Sequence, residues 1–181
     1  MSKIYVGVTD YDWFHFLKGN LSLKPIKQGS LTKIAQGQEV DFWRSAASGE
    51  FKALEPGDLF LFKLRNNKNN SQLNGEIVGG AYFSRFEFHA GIAAWNLYGS
   101  RNGCASLQDF QKLTQVINSG KALEEGKQIG SIILENVFFF DPNNYISQPE
   151  DWKAATVQGK TYDTLESPVA CQLEKDVMER I

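Results

Sequence analysis

The chain has 181 residues, 42 % apolar and 13 % aromatic, with a formal net charge of −2. That length buries one sizeable core, and near-neutral charge excludes a protein that holds nucleic acid through backbone attraction alone. No apolar run approaches the roughly 20 residues of a membrane span, no leader precedes the first strand pattern, and Cys104 and Cys171 lack metal-ligand spacing, so two buried thiols in a cytoplasmic protein are expected.

Residues 3–9 are β-branched and aromatic and predict a buried strand. Asp10 and Asp12 then open a short helix over 13–17, where their carboxylates can accept from free N–H groups. Residues 19–38 keep no period and read as a long loop. In the stretch 40–63, Phe42, Trp43 and Arg44 are expected in a loop, followed by a Pro56-Gly57 turn into a strand. Leu59, Leu61 and Lys63 fall on one face of that strand and Phe60, Phe62 and Leu64 on the other, which predicts packing on both sides. An Asn-rich tip at 65–72 joins it as a hairpin to a strand over 76–88, in which Gly79 and Gly80 permit a bulge or close backbone approach.

Residues 91–98 have helical spacing. In 106–117, Ser106 and Asp109 make a box-like start, Leu107, Phe110, Leu113, Val116 and Ile117 form one apolar face, and Gly120 marks a stop. A long buried strand over 129–140 ends at Asp141-Pro142. Residues 149–152 read as a turn, 157–163 as a short segment folding back on the sheet, and 174–181 as a helix or the start of a linker.

Charge is uneven. Lys18, Lys24, Lys27 and Lys33 lie in an acid-free stretch, Lys63, Arg65 and Lys68 form a second basic cluster, and 163–181 carries five acids against two bases. That asymmetry suits phosphate contacts on one side of the fold, and a solvated lysine-rich loop accounts for it equally well.

Catalytic chemistry finds little purchase. His15 and His89 stand alone, no serine sits in a nucleophile elbow, and Gly159-Lys160-Thr161 lacks the upstream glycine of a phosphate-binding loop, Ala155 holding its place. Asp10 and Asp12 are more simply caps than paired catalytic carboxylates. No cofactor or metal is expected. Stacking chemistry fares better. Trp43, Arg44, Tyr11 or Trp13, and Lys63 are expected to line one cavity, with Asp10 or Asp12 accepting from an exocyclic amine and Ser45 or backbone N–H groups donating, as a flipped base requires. A packed core tryptophan is the plain alternative for Trp43, and Trp95 and Trp152 are expected in the core or at its edge.

The order Tyr-Val-Gly-Val-Thr-Asp (5–10), Phe-Trp-Arg-Ser (42–45), Leu-x-Pro-Gly-Asp-Leu-Phe-Leu-Phe-Lys (54–63) and Ile-Val-Gly-Gly-Ala-Tyr-Phe (77–83) resembles the EVE and YTH branch of the PUA superfamily. With Asp-Tyr-Asp-Trp-Phe (10–14), Val-Phe-Phe-Phe (137–140) and Val-Gln-Gly-Lys-Thr-Tyr-Asp (157–163), the chain is similar to the N-terminal half of bacterial restriction endonucleases that join such a domain to an HNH nuclease. The resemblance implies an α+β, PUA-like (EVE/YTH/SRA-related) fold, a twisted, partly closed, barrel-like sheet flanked by helices. It implies a non-catalytic reader over 1–165, with 166–181 a tail or the start of a linker toward an HNH nuclease, whose motif these residues do not contain. The implied ligand is double-stranded DNA with 5-methylcytosine or 5-hydroxymethylcytosine, and the full-length partner nuclease would supply cleavage and any dimerisation. Trp43 matches the pocket wall. Tyr11 or Phe62 would face it, Asp10 or Asp12 would meet the base edge with Ser45 beside them, and Arg44, Lys63, Arg65, Lys68 and Lys33 would hold the DNA backbone. An RNA-binding YTH-like reader of modified adenine and a small-molecule or nucleotide-binding enzyme domain are the rival readings.

Overall fold

Leu59–Leu64 form a strand buried along its whole length. Alternating apolar side chains leave both of its faces to be covered, so layers must exist on each side. In the computed structural model of the protein, which describes residues 3–23, 31–66, 75–117 and 128–181, both layers are present. The elements run β1 (Lys3–Thr9), α1 (Tyr11–Asn20), β2 (Thr32–Lys33), β3 (Val40–Ser45), β4 (Leu59–Leu64), β5 (Ile77–Ala90), α2 (Gly91–Tyr98), α3 (Leu107–Ile117), β6 (Gln128–Phe139), β7 (Gly159–Asp163) and α4 (Pro168–Met178).

The seven strands make one mixed sheet in the order β2-β6-β5-β4-β1-β7, and β3 also pairs with β6. β1 runs parallel to β4, while every other pairing is antiparallel. The fold is therefore α+β, with helices flanking a sheet that does not close into a barrel. It curls strongly all the same. Phe42 on β3 stands 4.9 Å from Phe60 on β4, although β6 and β5 lie between those strands.

Inside the curl, Tyr5, Phe60, Phe62, Phe83 and Phe139 meet Trp13, Phe14 and Leu17 of α1. As expected, β4 sends Phe60, Phe62 and Leu64 inward and Leu59 and Leu61 outward. Residues 166–181, expected as a tail or the start of a linker with a helix possible over 174–181, form a helix over Pro168–Met178. Ser167 Oγ accepts from Ala170 N (3.3 Å), Pro168 occupies the first turn, and α4 buries Ala170, Leu173 and Val177 against the outer face. The i, i+3, i+7 stripe makes this segment part of the core.

In α3 the expected box forms. Ser106 Oγ accepts from Asp109 N (3.1 Å) and donates to Asp109 Oδ2 (2.8 Å), and Phe110 is fully buried, but Leu113 stays 40 % exposed. Of the Asn-rich tip expected at 65–72, residues 67–72 lie outside the described residues, as do Gly120, Lys24 and Lys27. Both cysteines are free, and only Cys104 is buried. Cys171 is exposed, correcting the expectation of two buried thiols. Among the described residues no helix is long and apolar enough to cross a membrane.

Gly79 fulfils the close approach expected of it. A Cβ there would fall on the Phe138 carbonyl oxygen and within 2.9 Å of Phe139 Cα. A backbone neighbour cannot rotate away, so Gly79→Ala is expected to destabilise by roughly 1–3 kcal/mol. Gly19→Ala, on α1 with nothing within 4 Å, should stabilise by about 0.5–1 kcal/mol through helix propensity. Urea midpoints measure both; an unchanged midpoint for Gly79→Ala would contradict the β5–β6 approach.

Candidate functional site

Trp43 and Arg44 were expected together in a loop, and the structure corrects this. Both lie in β3, paired to β6 from Val40↔Leu134 through Ser45↔Ile129. In a pleated strand successive side chains leave from opposite faces, so the neighbours part. Val40 and Phe42 point into the curl with Arg44, while Asp41 and Trp43 point out. The Trp43 ring meets Phe110 edge-on at 5.7 Å, and its indole N–H donates to the Asn102 carbonyl oxygen (2.9 Å). Its neighbours are the small outer cluster of Ala94, Cys104 and Ile129.

Arg44 has different company. Its guanidinium carbon lies 5.4 Å from the Phe51 ring centre and 5.6 Å from that of Phe86. Nη2 donates to the Gly49 carbonyl (2.7 Å) and Nη1 to Gln158 Oε1 (3.4 Å), while the buried Nε finds no acceptor among the described residues. Among the described residues no carboxylate pairs with it. Burial lowers its pKa and raises that of Tyr5, which the Arg44 charge partly offsets. A guanidinium cannot shed its proton in a protein, so the cation persists and its free donor capacity remains.

The surroundings are cut to fit. Gly130 lies across the ladder from Arg44, where a Cβ would come 2.9 Å from the Phe86 ring and 3.4 Å from Arg44 Cγ. Phe86 meets Phe88 edge-on at 4.9 Å, and Phe88 is 43 % exposed. On the other side a single 3-10 turn, Ala46–Ser48, is held by Ser45 Oγ accepting from Ala47 N (3.3 Å), and Gly49 closes it at φ +73°. Ser48 Oγ accepts from Gln158 Nε2 (3.0 Å). Arg44, Phe51, Phe86, Phe88, Ser48 and Gln158 thus form one rim where the β3 end approaches the entry to β7. The sequence signal for it is the inward alternation 40, 42, 44 on β3 together with 86 and 88 on β5.

The other expected residues lie apart. Phe62 is fully buried, edge-on to Trp13 at 5.3 Å. Tyr11 is exposed and stacked on His15 (5.4 Å). Asp10 occupies the α1 N-cap position without capping and instead accepts from Arg65 Nε (3.2 Å) at the surface, while Asp12 is exposed in the first turn. Among the described residues no ring contact joins Trp43 to Tyr11 or Phe62. Lys63 is corrected as a phosphate contact. The β4 alternation turns it outward beneath Trp152, 2 % exposed, with Nζ 4.7 Å from the indole centre and 3.4 Å from Leu64 O and Asn66 Oδ1. Burial lowers its pKa. Lys33 is exposed on β2 beside a cavity of about 370 Å³ that Ile34 and Phe138 also line. Lys68 lies outside the described residues.

The outer face carries a polar network that the sequence did not reveal. Arg85 binds both oxygens of Glu39 and donates from Nε to Glu87 Oε1 (2.6 Å). His89, expected alone, meets Glu87 Oε2 through Nε2 (2.7 Å), and the Tyr98 hydroxyl donates to that same oxygen (3.3 Å). Hydrogen bonds donated to its two carboxylate partners hold Arg85 above the ordinary arginine range. The network joins β5 to α2 and uses up its charges internally, which makes it a structural tie. Among the described residues no group of three His, Cys, Asp or Glu side chains is placed to hold a metal.

Asp41, fully buried, belongs to the same face. Burial pushes its pKa up to about 8; a hydrogen bond from Ser131 Oγ (2.8 Å) opposes the shift and the Glu87 charge adds to it. Its Oδ1 has no partner among the described residues, which is tolerable for a neutral carboxyl and costly for an anion. The folded state therefore holds a proton that the unfolded chain releases near pH 4. This stabilisation is complete below pH 4 and is lost as pH rises through about 8. Wild-type protein should lose roughly 1–3 kcal/mol between pH 5.5 and 7.5 by urea unfolding, and Asp41→Asn should abolish most of that slope. An equal slope in the variant would assign the effect to other groups.

No protein-family model matches the chain, and no curated protein matches it.

Proposed function

We propose that this chain is a nucleic-acid reader that holds one base of a DNA duplex at the Arg44 rim, with modified cytosine its preferred ligand. The observation that carries the reading is an arginine with no carboxylate partner among the described residues, set between Phe51 and Phe86, the latter in edge contact with the exposed ring of Phe88. A guanidinium offers a planar fork of donors to base acceptors, and an exposed phenyl ring offers a stacking surface. Stacking on an aromatic side chain is worth roughly 1–3 kcal/mol per base, comparable to the few kcal/mol needed to unstack one from the duplex. With a net charge of −2, general attraction to phosphate adds little, so discrimination has to come from the rim.

This reading moves the pocket from Trp43 to Arg44, because the indole is already engaged by Asn102 and Phe110. A 5-methyl group resting on Phe88 adds one small apolar contact, worth about 0.8 kcal/mol if fully buried, so preference for 5-methylcytosine should be only a few-fold. The full-length protein would couple this reader to an HNH nuclease, as the resemblance implies.

Fluorescence anisotropy with matched duplexes carrying cytosine, 5-methylcytosine or 5-hydroxymethylcytosine, at one stated salt concentration, tests the proposal. Tighter binding to a modified duplex is expected. Arg44→Lys, which keeps charge but loses the planar fork, should weaken binding about tenfold or more, and Trp43→Phe should leave it nearly unchanged. Equal, weak binding to all three duplexes, or insensitivity to Arg44→Lys, would sink the reading.

A further inference from the structure

Gln158 reaches Arg44 from the far edge of the sheet. Because a guanidinium can only donate, the amide oxygen must face Nη1, and the amide nitrogen is left to face Ser48 Oγ. Resting on the reading of the rim as a base site, we infer that the Gln158 amide occupies the position of the ligand's hydrogen-bonding edge and has to leave when the ligand binds. The ligand class follows from the groups the amide satisfies. Arg44 asks for an acceptor and Ser48 for a donor, one sp² carbon apart. A nucleobase edge with a ring nitrogen or carbonyl acceptor beside an N–H donor presents the same pair, as cytosine does through N3 and its 4-amino group.

Three features make the amide exchangeable. Its bond to Arg44 is long, 3.4 Å, and both of its hydrogen bonds are solvent-exposed, so each contributes little. The Gln158 backbone is anchored independently, its carbonyl accepting from Val8 N (2.8 Å). Gly159 fixes the next position, because any Cβ there would run into the Tyr5 ring and the Val6 carbonyl. The side chain can swing out while the main chain stays in place.

Nucleoside titrations of the full chain by NMR chemical shift test this, using cytidine, 5-methylcytidine and N4,N4-dimethylcytidine, which keeps the ring and loses the N–H donor. Gln158→Ala should bind 5-methylcytidine about three- to tenfold more tightly than wild type. Gln158→Glu, whose carboxylate is a stronger occupant of Arg44, should bind it more weakly and gives an independent readout should the alanine variant unfold. The dimethyl analogue should bind less well than 5-methylcytidine to all forms that fold. If wild type binds nucleosides but Gln158→Ala binds equally or more weakly and Gln158→Glu is unaffected, Gln158 is only a clasp between sheet edges and the inference fails, with the base reading intact. If wild type and Gln158→Ala both ignore all three nucleosides, and Arg44→Lys does not alter duplex binding, the base reading itself fails.

Discussion

The pairing of β3 with β6 fixes the arrangement on which the other features depend. Six consecutive rungs from Val40↔Leu134 to Ser45↔Ile129 set the pleat, and a shift of one residue would exchange every inward side chain for an outward one. In the observed register Phe42 lands against Phe60 and Phe62, Arg44 enters the space between Phe51 and Phe86, and Trp43 covers the side of Phe110. The slipped register would put Asp41 and Trp43 into the aromatic interior and Phe42 beneath α3. The aromatic packing inside the curl therefore selects the register, and the register selects which of two adjacent residues becomes available to a ligand.

Asp41 and Lys63 are buried in this sheet and Arg44 is half-buried, and each of the three resolves the cost differently. Asp41 can gain a proton, and burial drives it to do so. Lys63 is turned over the Trp152 face with two carbonyl-type acceptors nearby, and burial moves it toward neutrality. Arg44 has neither route in full. It cannot lose its proton, its aromatic neighbours attract its charge without accepting its hydrogen bonds, and one buried nitrogen has no partner among the described residues. Asp41 and Lys63 are thereby closed sites, whereas Arg44 is left with unmet demand for an acceptor. That difference, rather than closeness to a tryptophan, singles it out.

The parts of the fold legible in the sequence were those whose pattern stands alone. β4 alternates two apolar sets, β6 is a long apolar run closed by Asp141-Pro142, and the Ser106–Asp109 pair announces α3. β3 was obscured because it carries a charge on each face, Asp41 outward and Arg44 inward, so neither face reads as apolar. α4 was obscured by its acidic composition, although Ala170, Leu173 and Val177 hold a helical stripe behind Ser167-Pro168. The rim was legible only as separate alternations on β3 and β5, not as one site. Its members come from β3, the turn after it, β5 and the entry to β7, and Gln158 lies 114 residues from Arg44.

A curled sheet with two free edges has to bring them near each other or spread its interior into water. Here β3 and β7 are not hydrogen-bonded as strands, and the Arg44–Gln158–Ser48 bonds span the gap between them. Were this gap closed by a backbone ladder, as in a complete barrel, opening it would break several cooperative main-chain bonds. Closed by exposed side-chain bonds, it yields at the expense of two weak contacts. The incomplete barrel and the unsatisfied arginine are thus one feature: the sheet stops short of closure at the place where its inner face carries a cation that seeks an acceptor.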